Sequence, residues 1–508
     1  MWSETATVGP GACATMDALM PENTAVSGVA SDAAGPRVAS GAAVSADAFD
    51  QLPAVAPPLD RGFRPMYLAL RRHAQAVGQG GATLTLALER SAGSVSRFSM
   101  RVFADGHERS LESQRLAERV LKFLLWQRGG HHVFVAGPRA IADYLAARYR
   151  AGGERAFDAE FFAKIYEKPA FVIEAVSESE LPAEREQGKA VGGHLNGCRI
   201  GFDAGGSDRK VAAVIDGKEV FSIETVWQPK LESDPEYHFN GIDDSIRQAA
   251  AHLTRIDAIG ISSAGIYVDN RTMVASLFRK VPEAAFEARI KSIYQDIAKK
   301  WGNVPLEVAN DGDVTALAGA LELKDDCVLG IAMGTSQAAG YVNQQGLITG
   351  WINELAFAPV DVSASAPLDA EWSGDRGTGV NYFSQDAAIR LAKVAGVELP
   401  AAASPGEKLK VMQKLMAEGD ARARGIFESL GVYLGYGLLL YSEFYVMKHV
   451  LLLGRVTSGE GGNLLLETAR RVLRTEAPEL AERVQIHLPD EATRRVGQSI
   501  AAASLPRI

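Results

Sequence analysis

One local design occurs twice in this chain and constrains its fold more than any bulk property does. Residues 197–217, GCRIGFDAGGSDRKVAAVIDG, read as an apolar strand ending at Asp203, a Gly205-Gly206-Ser207 turn, and a second apolar strand ending at Asp216-Gly217. Residues 330–346, GIAMGTSQAAGYVNQQG, repeat the design: apolar strand, Gly334-Thr335-Ser336 turn, second strand, then a turn at Gln345-Gly346. Glycine has no Cβ, so backbone N–H groups at such a tip stay open to a phosphate. A carboxylate at the strand end can hold a cation against that phosphate, directly or through water. One such hairpin is a modest signal, because many hairpins turn on Gly-Gly. Two in one chain suggest two similar halves facing one nucleotide.

Residues 196–508 otherwise alternate strands and helices. DAIGISS, LEVAN, CVLGIAMG and HVLLLG read as buried strands, DVTALAGALEL and NLLLETARRVL as helices. This alternation predicts α/β architecture with covered sheets. Residues 60–195 predict a smaller α/β unit of unassigned role. TLTLALERSAGSVSRFSMRVF reads as two strands joined at Gly93. Leu116, Val120, Leu121 and Leu124 form a helical stripe, HVFVAG a strand, and Pro138 opens a further helix. Residues 1–58, rich in Ala, Val, Gly, Ser and Pro, predict a disordered or loosely held segment.

At 508 residues the chain exceeds one ordinary core. Its net charge of -9 argues against a general nucleic-acid or anionic-membrane surface. Three cysteines, Cys13, Cys198 and Cys327, are too few and too scattered for a disulfide framework or a structural zinc site, which fits a reducing cytoplasm. The first residues lack the basic and apolar regions of a secretory signal. No apolar run reaches the roughly 20 residues that span a bilayer; GLLLY, within GVYLGYGLLLYSEFYVM, reads as a buried helix. Strands dominate the start of residues 60–195 and no basic recognition helix stands out, a poor fit to a DNA-binding helix-turn-helix.

Two further elements carry chemistry. In VANDGDVTALAGA, residues 308–320, a strand ends at Asn310-Asp311 and a helix begins after Gly312. Asp313 reads as the N-cap of that helix. The Asn-Asp pair also sets a carboxylate at the mouth of a sheet, where α/β proteins bind ligands. In LLLGRVTSGEGGNLLL, residues 451–466, a strand, a glycine-rich loop and a helix offer backbone against which a flat adenine can lie. The same stretch also reads as a plain strand-to-helix connection.

The order of these elements resembles the sugar kinase, Hsp70 and actin superfamily, and their wording is most similar to the ROK family of sugar kinases and related repressors. The resemblance covers residues 197 to about 505, some three-fifths of the chain. IGFDAGGSDRKVAAVID is similar to that family's first phosphate motif, and AIGISSAGIYVDN to its glycine strand-loop. VPLEVANDGDVTALAGA resembles its catalytic Asn-Asp segment, and GLITGWINELAFAPVD the stretch with its substrate-binding glutamate. The resemblance implies an actin-like ATPase fold. Two RNase H-like domains, 196–324 and 325–508, would close over ATP and substrate, with the C-terminal helix returning toward the first.

It implies that Asp311 is the general base for a substrate hydroxyl. Asp203 would position Mg²⁺, directly or through water. Gly205, Gly206, Ser207 and Lys210 would contact phosphate from one side, and Gly334, Thr335 and Ser336 from the other. Gly454, Gly461 and Gly462 would flank adenosine, and Asn310, Glu354 and Ser276 would hold the acceptor. A symmetric homodimer is the default assembly.

The departures from the family are as informative. Its cysteine-rich zinc loop, CxCGxxGC, corresponds here to EWSGDRGTGVNYFS, residues 371–384. The cysteine positions fall on Glu371, Ser373, Asp375 and Thr378, so no structural zinc is expected. Asp375 and Arg376 are expected to brace the loop as an ion pair. The histidine of GExGH falls on Phe357, the glutamate after the zinc loop on Val380, and the asparagine of an Asn-Leu pair on Ser276. Losing such polar partners rewrites specificity, since sites built for hydroxyls discriminate through paired hydrogen bonds. The leading expectation is an ATP-dependent kinase of a sugar-like small molecule. The alternatives are a non-catalytic nucleotide or sugar sensor and, behind it, a repressor that needs the helix-turn-helix not seen here.

Overall fold

Alternating and continuous apolar runs, punctuated by glycine turns, build the sheets in chain order. The computed structural model describes residues 47–186, 192–370, 373–488 and 491–508. In the N-terminal unit, β1 (Ala82–Glu89) and β2 (Val95–Val102) form an antiparallel hairpin around the Ser91–Gly93 turn. β1 also pairs antiparallel with β3 (His132–Ala136), and β4 (Val172–Ala175) runs parallel to β3. Helices Ser110–Arg128, Arg139–Tyr149 and Ala156–Ile165 accompany this sheet.

The next sheet joins β5 (Cys198–Ala204), β6 (Asp208–Ile215) and β7 (Lys218–Val226) antiparallel. β8 (Ala258–Ser263) lies parallel to β5. A small hairpin, β9 (Ile266–Val268) and β10 (Arg271–Val274), precedes β11 (Leu306–Asn310), which is parallel to β8. The order is β11-β8-β5-β6-β7. The last sheet pairs β12 (Val328–Met333) antiparallel with β13 (Gln337–Val342) and parallel with β14 (His449–Leu453), which is followed by β15 (Gln485–His487). Its order, β13-β12-β14-β15, repeats that of the preceding sheet, with no counterpart of β7 among the described residues: an antiparallel hairpin, then parallel strands beside its first strand. That is the RNase H-like arrangement used twice, the actin-like ATPase fold.

The terminal helix, Glu491–Ala503, crosses back onto the first RNase H-like sheet. Gly201 on β5 and Gly260 on β8 permit this: a Cβ there would lie 1.9 Å from the Ser499 carbonyl oxygen and 1.7 Å from that of Ala502. The first RNase H-like domain has its own apolar core. The N-terminal unit instead shares one core with the second. Phe123 stacks on Phe444 at 4.0 Å between ring centres, and Trp126 meets Phe357 at 4.5 Å.

Of the segment expected to be loose, residues 1–46 lie outside the described residues, and within 47–58 Ala48, Phe49, Pro53 and Pro57 are buried. Phe49 is buried under the Arg115 guanidinium, and the Ala48 N–H donates to Glu112. The expectation fails there because Phe49 finds a partner surface on the following helices that composition does not reveal. The GLLLY segment lies in the buried helix Ala421–Tyr441. Among the described residues no helix is long and apolar enough to cross a membrane.

Candidate functional site

The parallel strands β5, β8 and β11 end side by side, and their last residues bring the carboxylates together. Asp203 on β5 pairs in register with Ser262 on β8, whose hydroxyl donates to Asp203 Oδ1 at 2.8 Å. Burial raises the Asp203 carboxyl to about 6 against that hydrogen bond, and the charge of Asp311 adds to the rise. Asn310 ends β11, and its Oδ1 accepts from the Gly312 N–H at 2.8 Å. Asn310 therefore caps the helix Asp311–Leu323, which begins at Asp311 itself. The N-cap expected at Asp313 is corrected: Asp313 lies in the first turn and faces inward. Its Oδ1 accepts from the Tyr341 N–H and from Asn353 Nδ2, both at 2.9 Å.

Burial and Asp311 push Asp313 up to about 7. Glu354 is likewise raised to about 7, by burial first and then by Asp311 and Asp313. Burial raises Asp311 too, opposed by the Gly312 N–H and by Lys230. Four carboxyl groups thus share one site. Asp313 was not singled out as an acceptor contact in the sequence, where it reads as an ordinary cap.

Glu354 is aimed by the N-terminal unit. The Glu354 N–H donates to the Trp126 carbonyl and the Asn353 N–H to that of Gln127, both at 2.9 Å, at the C-terminal end of the helix Ser110–Arg128. Asn353 takes a left-handed φ of 52°, uncommon for a residue other than glycine. Its side chain spans from Asp313 to the Tyr445 hydroxyl. Phe357, at the histidine position of the resemblance, is buried against Trp126, and Val380 is partly buried on the same core. A cavity of about 320 Å³ opens beside Asn310 and Asp313 and is walled by the β9 hairpin, Arg90, Tyr166 and Trp351. Ser276 is buried in the Ser276–Phe278 turn and does not line this cavity.

The β5–β6 tip carries Gly205, Gly206 and Ser207. Trp227 Nε1 donates to the Gly205 carbonyl at 2.8 Å, and the Ser207 hydroxyl donates to Asp208. A Cβ on Gly206 would sit 2.9 Å from Lys230 Nζ, so Lys230 lies over the tip. Burial and Arg279 lower the Lys230 ammonium, and Asp311 opposes the fall. Lys230 comes from the Pro229–Leu231 turn, and no local motif marks it. Lys210, opposite Asp203 on β6, turns to Asp208 at 3.3 Å.

At the β12–β13 tip the Gly334 N–H donates to the Ser336 carbonyl at 3.0 Å. The Ser336 hydroxyl is buried without a hydrogen-bond partner among the described residues, and Thr335 lies half-buried between them. Gly454, with φ 95°, abuts this tip: a Cβ there would lie 2.4 Å from the Met333 carbonyl oxygen. Gly461 and Gly462 are corrected. They lie within the helix Gly459–Glu476, where a Cβ would meet the Phe427 ring at 2.6 Å and the Thr457 carbonyl at 1.9 Å. Both are small because that helix and its entry turn are tightly packed.

The stretch at the zinc-loop position holds a different device, and Glu371 within it lies outside the described residues. Asp375 pairs with Arg119 at 2.8 Å and with Lys122 and Arg155 at 3.0 Å, all from the N-terminal unit. Glu118 bridges Arg119 and Arg155, and Asp158 pairs with Lys122. The expected Asp375–Arg376 pair does not form: the Arg376 side chain donates to the Ala366 carbonyl instead. Three cations converge on Asp375 because the N-terminal unit packs over the loop. Among the described residues no group of three or more His, Cys, Asp or Glu is arranged to hold a metal ion. Asp203, beside a phosphate-type tip and within the field of Asp311 and Asp208, suits Mg²⁺ held mainly by phosphate and water.

No protein-family model matches the chain, and no curated protein matches it. Solved structures do. The ROK hexokinase of Thermus thermophilus is 19% identical, with 60% of this chain covering 97% of that one at a TM-score of 0.49. The Streptomyces griseus ROK glucokinase, in complex with glucose and AMPPNP, is 21% identical, with 61% of this chain covering 99% of that one at 0.43. A ROK transcriptional regulator, a homologue of the Escherichia coli MLC protein, is 17% identical, with 67% covering 83% at 0.48. With TM-scores under one half, these likenesses carry nothing about activity or individual residues, and the fold rests on the strand orders. By those orders the chain is a protein of the actin-like ATPase fold, two RNase H-like domains behind a smaller α/β unit, similar to ROK-family kinases and to a ROK regulator alike.

Proposed function

We propose that the protein transfers the γ-phosphoryl group of ATP to a hydroxyl of a sugar-like small molecule. The observation that carries this reading is the place of Asp311. It stands at the carboxyl ends of parallel strands, between the Gly206–Lys230 tip and the Glu354–Asp313 pair. Asp311 takes the hydroxyl proton as that oxygen attacks phosphorus, and burial brings its carboxyl nearer the working pH of a general base. Glu354, Asp313 and Asn310 orient the acceptor. Lys230 and the two glycine tips face the phosphates, while Gly454 offers backbone to the adenosine side. Mg²⁺, when bound with ATP near Asp203, would neutralise developing phosphate charge.

The test is ADP release from the purified protein with Mg-ATP, against sugars, amino sugars, sugar acids and polyols, with Asp311→Asn as the blank. Acceptor-dependent release that the variant loses supports the reading. Equal release from the variant removes Asp311 from the base role. A sensor is the second reading, favoured by Phe357, which fills the apolar core where a polar partner would face the acceptor. It is supported if ATP or a sugar raises thermal stability with no ADP formed.

A further inference from the structure

The N-terminal unit forms one wall of the cavity beside Asn310 and Asp313, and that wall is cationic. Arg90 lines the cavity from the end of the β1–β2 hairpin and is 5% exposed. Arg128, 8% exposed, lies behind Trp351, its guanidinium 5.0 Å from the ring centre. Arg90 pairs with Glu186, which also accepts from the Ser96 hydroxyl and from Trp351 Nε1. Arg128 donates to the Arg97 carbonyl and the Gln127 side chain, neither of them charged. Glu186 and Glu184 both act on Arg128, and Glu186 also holds Arg90. Arg90 Nε is buried with no hydrogen-bond partner among the described residues. The wall turns through Ala92, a left-handed residue with φ 53° that also lines the cavity. On the facing wall stand Asp269, Glu307, Asn310 and Asp313, leading to Asp311.

A buried guanidinium N–H left without a partner is costly, and an acceptor oxygen brought into the cavity relieves that cost. Guanidinium suits carboxylate in geometry as well as charge. Resting on the kinase reading above, we infer that the acceptor is a sugar acid. Its hydroxyl lies toward Asp311 among the carboxyls, and its own carboxylate lies toward Arg90 at the N-terminal wall. Arg90 is then a specificity-determining residue, and the N-terminal unit is part of the acceptor site.

The test uses the full chain and matched acceptors, glucose against gluconate and glucuronate, galactose against galacturonate. Both ADP release and the thermal shift without ATP are followed. A preference for an acid over its neutral partner of about tenfold to a hundredfold is expected. Arg90→Gln should erase that preference mainly through KM, and Arg90→Lys should restore part of it. Glu186→Gln, which leaves Arg90 in place and frees it, should lower KM for the acid, so a failure of Arg90→Gln to fold does not end the test. Neutral sugars used as well as acids, with Glu186→Gln without effect, overturn the inference and leave the kinase reading standing. A thermal shift with sugar acids that Arg90→Gln loses, without any ADP release, upholds the cationic wall and overturns the kinase reading.

Discussion

Two clusters of buried charge adjoin the helix Ser110–Arg128, one on its Glu118–Lys122 turn and one beyond its C-terminal end, and they are built on opposite rules. On the zinc-loop side, Arg119, Lys122 and Arg155 meet Glu118, Asp158 and Asp375, three cations against three carboxylates. There the neighbouring cations hold Asp375 down at about 2 despite its burial. At the candidate site, Asp203, Asp311, Asp313 and Glu354 crowd together with Lys230 as the cation whose charge reaches Asp311, and burial raises all four. A balanced cluster fastens the N-terminal unit to the second RNase H-like domain. An unbalanced one costs stability and is left for a ligand to complete, which is why perturbed carboxyl groups mark candidate sites.

The sharpest way to break this contrast is Asp311→Asn. It should lower turnover by about 10² to 10⁴ while ATP still raises thermal stability, as read by ADP release and a melting curve. Unchanged turnover would place the chemistry elsewhere. Asp375→Ala should cost about 3–5 kcal/mol in denaturant unfolding, because it leaves three buried cations with only the two buried carboxylates of Glu118 and Asp158. A loss under about 1 kcal/mol would show that the network is ornamental to stability. Lys230→Met should lower kcat by about a hundredfold if its ammonium faces developing phosphate charge, with the fold unchanged by circular dichroism.

The pH dependence of the two clusters runs in opposite directions. Asp313 and Glu354 rise from 3.8 and 4.5 to about 7, so the folded state holds more protons than the unfolded state across that interval. Their contribution therefore falls as pH rises through it. Asp375 falls from 3.8 to about 2, so its contribution is present above the ordinary value and is lost as pH drops through that range. Glu354→Gln and Asp313→Asn should accordingly gain stability relative to wild type at pH 8 over pH 5, measured as the difference in unfolding midpoints. A parallel pH profile would contradict the crowding. The smallest effect is expected for Gly461→Ala: a loss of about 1–3 kcal/mol from overpacking against Phe427, with KM for ATP unchanged. A raised KM would return Gly461 to the nucleotide site.

Much of the frame was legible because its signals are local. Both glycine hairpins, the strand ending at Asn310 and the strand before Gly454 are runs whose apolar pattern and turn residues decide them within about ten positions. Asp311 could be found for the same reason, at a strand-to-helix junction. Lys230 could not, since a lysine in a surface-like turn carries no pattern until the turn folds over Gly206. Asp313 reads as a cap because Asn310 and Asp313, three positions apart, are both good capping residues, and propensity does not decide which of them starts the helix. Gly461 and Gly462 were read as a loop because glycine reports a need for space without saying whether a ligand or a helix fills it.

The sequence by itself determined the two hairpins, the strand that delivers Asp311 and the absence of thiolates at the zinc-loop position, because each is a property of residues close along the chain. Only the tertiary structure decided that the N-terminal unit belongs to the site. It sets Trp126 and Gln127 against the backbone of Asn353 and Glu354, brings Arg119, Lys122 and Arg155 onto Asp375, and places Arg90 in the wall of the cavity beside Asn310 and Asp313. Those contacts join residues more than 200 positions apart. They form through a shared apolar core and the pairing of buried charge, and neither leaves a period or a spacing in the chain.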